Sequence, residues 1–333
     1  MKADLQNPIF TNPDKAREAL EAVRWPDGPV CPHCGNADQE RIALIEGAKK
    51  SHRPGLRYCV ECKGQFTVTV GTVFERSKVP LTKWWLAVHL LGSSKKGMSS
   101  HQLHRMLGVT YKTAWFMTHR IREAMRDMKA GPIGGEGKVV EADETYLGNK
   151  DRITKRTKRG KSGHGSKRSI VALVERGGEC RTFHIDRADA ETVRDVLVRN
   201  VSRKSALHTD ESRLHVEVGK EFASHDTVRH STGEYVRGLV HTNTVENVFS
   251  VFKRGMKGVY QHCGEVHQHR YVTEFEFRYN RRSGLGVSDK ARVDAIMEGI
   301  EGKRLTYRRT SEAQTPKQKA RHFLRWRSRL DKQ

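Results

Sequence analysis

"KVVEADETYLG", residues 138–148, reads as a buried strand that carries three acids. Val139, Val140, Ala142 and Leu147 belong in a core. Glu141, Asp143 and Glu144 do not, because an unpaired carboxylate gives up much of its hydration free energy on burial. A core strand that keeps such residues needs positive charge to face them. What supplies that charge decides both the fold and the chemistry of the chain.

With 333 residues the chain is long enough for two or three domains and at least one sizeable core. Lys and Arg total 62 against 39 Asp and Glu, a formal charge of +23. So large an excess seeks a polyanion, with nucleic acid the leading candidate and a membrane surface behind it. The longest apolar run, "WWLAVHLLG" at 84–92, is broken by His89 and is too short to span a bilayer. "MKADLQNPIF" has no apolar signal core, so a soluble, cytoplasmic protein with reduced thiols is expected, with no membrane partner. The basic residues cluster. Residues 149–168 hold nine Lys/Arg and one acid, and residues 303–333 hold eleven against two, a pattern that favours phosphate contact.

Reduced cysteines are free to bind metal. Cys31 and Cys34 form one C-x2-C knuckle, Cys59 and Cys62 another, with 24 residues between them. Four thiolates so spaced suit tetrahedral Zn2+ in a closed, structural site, and Gly35 permits the tight turn after the first knuckle. "QFTVTVGTVF" at 65–74 supplies β-rich sequence for a zinc ribbon. Cys180 and Cys263 stand apart and read as buried thiols.

Helical periodicity flanks the ribbon. Residues 12–24 place Ala16, Leu20 and Val23 on one face. Residues 80–94 form a second helix. Residues 98–109 carry Ser99 and Gln102 as a capping box and end at Gly108. Residues 110–128 place Ala114, Met117, Ile121 and Met125 on one face, leaving Lys112, His119, Arg120 and Arg122 largely elsewhere. A helix, a short turn and a longer basic helix make a helix-turn-helix, with 110–127 as its recognition helix and Lys112, Arg120 and Arg122 as DNA contacts.

Beyond the linker "AGPIGGEG" (130–137) strands dominate: 138–147, the hairpin 169–175 with 179–185, and the short 205–210. One helix (188–201) precedes the last of these, and helices at 244–256 and 266–282 follow. This order describes an α+β fold with an RNase H-like mixed sheet flanked by helices. In that layout strand four lies beside strand one, so Asp143 and Asp210 are neighbours. A third acid should come from a helix across the sheet. Glu246, separated from Asp210 by 35 residues, flanks the packed face of Val245, Val248, Phe249, Phe252 and Met256. Three clustered carboxylates are tolerable around divalent cations; two Mg2+ (or Mn2+) ions roughly 4 Å apart can clamp an in-line phosphoryl displacement. Lys253, nearly two turns after Glu246, is placed to hold a DNA phosphate, and Arg254 and Lys257 extend the basic patch. Glu141 competes with Asp143, Glu211 with Asp210, and Asn243 and Asn247 with Glu246. Glu144 should face the opposite side and pair with a basic residue. His208 and His241 read as sheet-edge histidines, and Tyr271, Phe275 and Tyr279 as core.

The chain resembles bacterial insertion-sequence transposases of the DDE type that carry an N-terminal zinc ribbon, over about residues 12–300. "CPHCG…YCVECKGQFTVTVGTVFE", "EADETYLG", "HTDES", "HTNTVENVFSVFKRGMKGVY" and "YVTEFEFRYNRR" carry the resemblance. It implies Asp143, Asp210 and Glu246 as the metal-binding triad and Lys253 as the phosphate contact. Relatives with asparagine as third ligand keep Asn243 and Asn247 open. The expected substrates are the element's terminal inverted repeats and a target duplex, joined without ATP, by at least a homodimer. A hydrolytic nuclease of the same fold and a noncatalytic DNA-binding regulator are the rivals. The expected division is an N-terminal helix (1–27), zinc ribbon (28–79), helix-turn-helix region (80–129), catalytic domain (138–300) with basic loop 149–168, and basic tail (301–333).

Overall fold

The computed structural model describes residues 5–45, 52–127, 131–149 and 167–306. Nearly all of the basic loop and most of the basic tail lie outside them.

The N-terminal helix α1 (Pro13–Arg24) starts at Asn12, whose side chain accepts from the amides of Asp14 and Lys15, with Pro13 at the first helical position. Ala16 and Leu20 are fully buried, while Val23 is 38% exposed. Three short antiparallel strands follow: β1 (Ile42–Leu44), β2 (Arg57–Cys59) and β3 (Gln65–Phe66). The stretch 65–74 was expected to be β-rich, but only Gln65 and Phe66 form a strand, and Thr72 makes a lone antiparallel bridge to Glu301. Turns follow, with Gly71 at φ +79° and Thr72 Oγ1 donating back to the Thr69 carbonyl. Val68, Val73 and Phe74 bury in the helical core instead.

Helices α2 (Leu81–Ser93), α3 (Ser100–Leu107) and α4 (Tyr111–Ala124) come next. Ser99 Oγ accepts from the Gln102 amide, as half of the expected box, and Gly108 closes α3 in the left-handed region at φ +58°. Thr110 Oγ1 caps α4 by accepting from the Thr113 amide.

The second half is built on a mixed sheet. Its elements are β4 (Val139–Asn149), β5 (Lys167–Glu175), β6 (Cys180–Ile185), α5 (Ala190–Asn200), β7 (Ala206–Asp210), α6 (Val216–Gly219) and β8 (Ser224–Val228). A two-stranded ribbon, β9 (Val236–Arg237) with β10 (Val240–His241), leads to α7 (Asn243–Gly255), α8 (Gln268–Asn280) and α9 (Asp289–Glu298). Strand order is β6-β5-β4-β7-β8; β4, β5 and β6 are antiparallel, whereas β7 runs parallel to β4 and β8 to β7. This is the RNase H-like arrangement. The edge strand β8, "SHDTV", shows no apolar alternation and was not anticipated.

The two faces of the sheet bury different helices, as the period of two requires. Val140, Ala142, Val171, Leu173 and Leu207 pack against Val193, Leu197 and Val201 around α5. Ile170, Ala172 and Val174 pack against Val245, Val248, Phe249 and Phe252 of α7 and Tyr271 and Phe275 of α8. Asp143 lies opposite Ala172, and Glu141 opposite Val174, so both acids face the α7 side.

Residues 289–300, expected within the catalytic domain, pack elsewhere. Val293, Ile296, Met297 and Ile300 join the core of α1 and α2, and the Val73 amide donates to the Ile300 carbonyl at 3.0 Å. Gly92 of α2 permits the approach, since a Cβ there would lie 2.9 Å from Val293 Cγ2.

Candidate active site

The parallel register pairs Glu141 with His208. Two residues further along each strand stand Asp143 and Asp210, so the sheet brings the two aspartates level at the end of β7. Burial, then the charges of Asp210 and Glu144, push the Asp143 carboxyl up to about 7. The carboxylates here outnumber the positive charge beside them, an arrangement that a divalent cation would relieve. Asp210 Oδ1 accepts from the Ser212 amide at 3.0 Å and holds the turn after β7.

Glu144 faces the other side of the sheet, as expected, and pairs with a basic group. Its Oε1 lies 3.1 Å from Nε2 of His215, and that nitrogen lies 4.0 Å from Asp210 Oδ1. His215 is fully buried. Burial pushes its pKa down, but Glu144, Asp210 and Asp143 outweigh burial and raise it. Nothing in "ESRLHVEV" marked this histidine, because its partners are distant in sequence.

Glu246 sits in the first turn of α7 with its side chain 41% exposed. Its Oε1 accepts from Thr242 Oγ1 at 3.0 Å and lies 3.5 Å from His230 Nε2. Asn243 and Asn247 are exposed on the same turn. Lys253 is half-buried and makes no ion pair among the described residues, and Arg254 and Lys257 are exposed nearby. Asp143, Asp210 and Glu246 do not form a closed ligand cage. Among the described residues, the cysteine quartet alone brings three or more such ligand atoms within 4.8 Å of one another.

Two competing acids are already engaged. Glu141 is fully buried and receives hydrogen bonds from Arg176, Thr244 and Val245, so it is not available as a metal ligand. Glu211 accepts from the amide and hydroxyl of Ser231, at 3.0 and 2.7 Å. That contact secures the turn carrying His230, the neighbour of Glu246. His208 and His241 gather around Arg176. The sequence offered no sign of that arginine's role, because it sits in a hairpin turn.

In the ribbon, Cys31 and Cys62 Sγ lie 3.6 Å apart, and Cys34 and Cys59 Sγ 3.7 Å. A tetrahedron with Zn–S near ~2.3 Å has edges of about 3.8 Å, whereas a disulfide would be ~2.05 Å. Gly35 takes φ +78°, as the first knuckle requires. The four cysteines are a structural zinc site.

The expected DNA contacts divide. Lys112 is exposed on the first turn of α4. Arg120 and Arg122 are not surface residues. Arg120 is 8% exposed, donates to the Glu75 carbonyl and stacks on Phe116. Arg122 is fully buried against Glu274 of α8. Because α4 packs against α3 on one side and α8 on another, its later turns have no free face for a groove. His119 is buried there too, between Trp115, His267 and Tyr271.

The described residues thus combine a four-cysteine zinc ribbon, a helical region and an RNase H-like sheet with adjacent aspartates. Residues 134–280 match the ISXO2-like transposase domain, and residues 11–65 the transposase zinc-ribbon domain. The "Uncharacterized protein in transposable element ISH50" of Halobacterium salinarum is 31% identical over 258 residues, covering 74% of this chain and 83% of that protein. The chain belongs to this family of insertion-sequence transposases. No helix among the described residues is long and apolar enough to cross a membrane.

Proposed function

We propose that the protein cleaves the ends of its own insertion element and joins the freed 3′-hydroxyl to target DNA. Asp143, Asp210 and Glu246 would hold two Mg2+ (or Mn2+) ions. The observation that carries this reading is the pair Asp143–Asp210, level on adjacent parallel strands with too little positive charge beside them. Bound ions would supply Lewis-acid stabilisation of the attacking and leaving oxygens.

The chain's own residues do the rest. Strands β4 and β7 fix two ligands rigidly, and α7 offers the third from its first turn. His215 and Glu144 steady Asp210 from behind. Lys253, Arg254 and Lys257 hold the DNA backbone beside the acids. Water attacks the phosphodiester at the element end, breaking its bond to the 3′ oxygen. The liberated 3′-hydroxyl then attacks a target phosphodiester and displaces another 3′ oxygen. One phosphodiester replaces another in the second step, so no ATP is required. Lys112 and the turn between α3 and α4 would touch the duplex, the zinc ribbon would help position it, and two element ends call for a homodimer or larger assembly. The site of action is the bacterial cytoplasm.

The test is a cleavage and joining assay with Mg2+, plasmid and a duplex bearing the element's terminal repeat. Asp143→Asn should abolish cleavage while end binding survives. Cut products that never join would favour a hydrolytic nuclease. Absence of cleavage by the unaltered protein, despite tight end binding, would favour a DNA-binding regulator.

A further inference from the structure

The first turn of α7 has no cap of its own. Thr242, at the N-cap position, makes no side-chain capping bond. The amides of Thr244 and Val245 are two of the donors that a helix start leaves without internal partners. Both are satisfied from the sheet: Glu141 Oε2 accepts from Thr244 N at 2.8 Å and from Val245 N at 3.1 Å. Oε1 of the same carboxylate accepts from Thr244 Oγ1 at 2.9 Å and from Arg176 Nε at 2.7 Å, and lies 3.2 Å from His241 Nδ1.

Arg176 extends the clamp. It also donates to the carbonyls of Leu239 and His241, at 2.6 and 2.9 Å, fastening the β9–β10 ribbon just before the helix. Glu141 therefore anchors the chain on both sides of residue 242, using the favourable field of the helix N-terminus. It stands two residues before Asp143 on the same strand face, and the amide it holds, that of Val245, immediately precedes Glu246.

We infer that Glu141 is a positioning residue for the metal site: it caps α7 from strand β4 and sets the placement of Glu246 relative to Asp143. The inference rests on the proposed metal-binding role of Asp143 and Glu246. It also accounts for the fully buried acid at 141, which binds no metal but orients a group that does. Partners that orient a metal ligand typically contribute about 10–100-fold to affinity or activity.

Mn2+ binding to the full-length, zinc-loaded protein, followed by electron paramagnetic resonance of the free ion, tests this without requiring turnover. Glu141→Ala should weaken Mn2+ binding at least about tenfold, with zinc content and end-duplex binding retained. Glu141→Gln is isosteric and guards against misfolding. It keeps an oxygen for the two amides but sets an NH2 group against Arg176, so its affinity should fall between Ala and parent. Folded Ala or Gln variants that bind Mn2+ as the parent does would overturn the positioning role. If Glu141→Ala does not fold, the Gln variant alone decides. Asp143→Asn is the control: unchanged Mn2+ binding in that variant would sink the metal site itself, a result separable from failure at Glu141.

Discussion

Arg122 and Glu274 are both wholly buried, with Nε of one 2.6 Å from Oε2 of the other. They join α4 of the N-terminal half to α8 beside the mixed sheet. Tyr260 and Arg278 also donate to Glu274, and Arg122 lies over the Tyr271 ring, so the pair is the centre of a polar network between the two halves. An arginine expected to read DNA instead fixes the helical region relative to the sheet that carries Asp143 and Asp210.

Removing one partner from this network should be costly. Glu274→Ala strands Arg122 in the interior and should lose about 3–5 kcal/mol of stability in urea unfolding. Replacing both, as Arg122→Met with Glu274→Leu, should recover much of the loss. Burial alone would push the Glu274 carboxyl up, but Arg122 and Arg278 outweigh it and hold it at about 2. Because the folded pKa is depressed, this stabilisation is complete above its ordinary 4.5 and disappears as pH falls towards about 2. The difference between parent and Glu274→Ala should shrink over that window; a constant difference would contradict the ion pair.

Exposure separates Lys112 from Arg120. Lys112→Ala should lower the salt dependence of end binding by about one phosphate contact and leave thermal stability unchanged. Arg120→Ala should leave the salt slope alone and lower stability by about 1–3 kcal/mol, because the Glu75 carbonyl loses its buried donor. Salt titrations of both variants, read beside their melting curves, would expose the reverse pattern if α4 presented its later turns to DNA.

Asp143 should weaken the apo protein it serves. Its carboxyl ordinarily titrates at 3.8 and is pushed up to about 7 in the fold, first by burial and then by Asp210 and Glu144. A raised acid carries no penalty below its unfolded pKa, and the penalty grows until pH passes the folded value. At about 1.4 kcal/mol per unit, the ceiling is about 4 kcal/mol. Without added divalent cation, Asp143→Asn should therefore melt above the parent at mildly alkaline pH, and the gap should narrow as the solution is acidified. Adding Mg2+ should stabilise the parent and not the variant. A variant less stable than the parent under every condition would rule out this frustration.

Several features were legible because they are local or strictly periodic. The two knuckles, the cap at Ser99, and the apolar runs in 138–148 and 169–175 each depend on residues near one another in the chain. From them followed the zinc site, the α+β class, the order of most elements and the adjacency of Asp143 and Asp210. The five-residue edge strand β8 escaped because a strand covered on few sides carries no apolar signature.

Tertiary structure alone decided which charged residues are surface and which are interior. Glu141 and Asp143 have the same parity on one strand, yet one caps a helix and the other lies beside Asp210. Arg120 and Arg122 look like solvent-facing cations by helical period, but α4 is packed on more than one side. Residues 293–300 are apolar enough for either half, and they joined the N-terminal core. Sequence pattern specifies that a face must be buried and that a buried charge must be paired. It does not name the partner, because the electrostatic partner of a buried charge is set by contacts between elements distant along the chain.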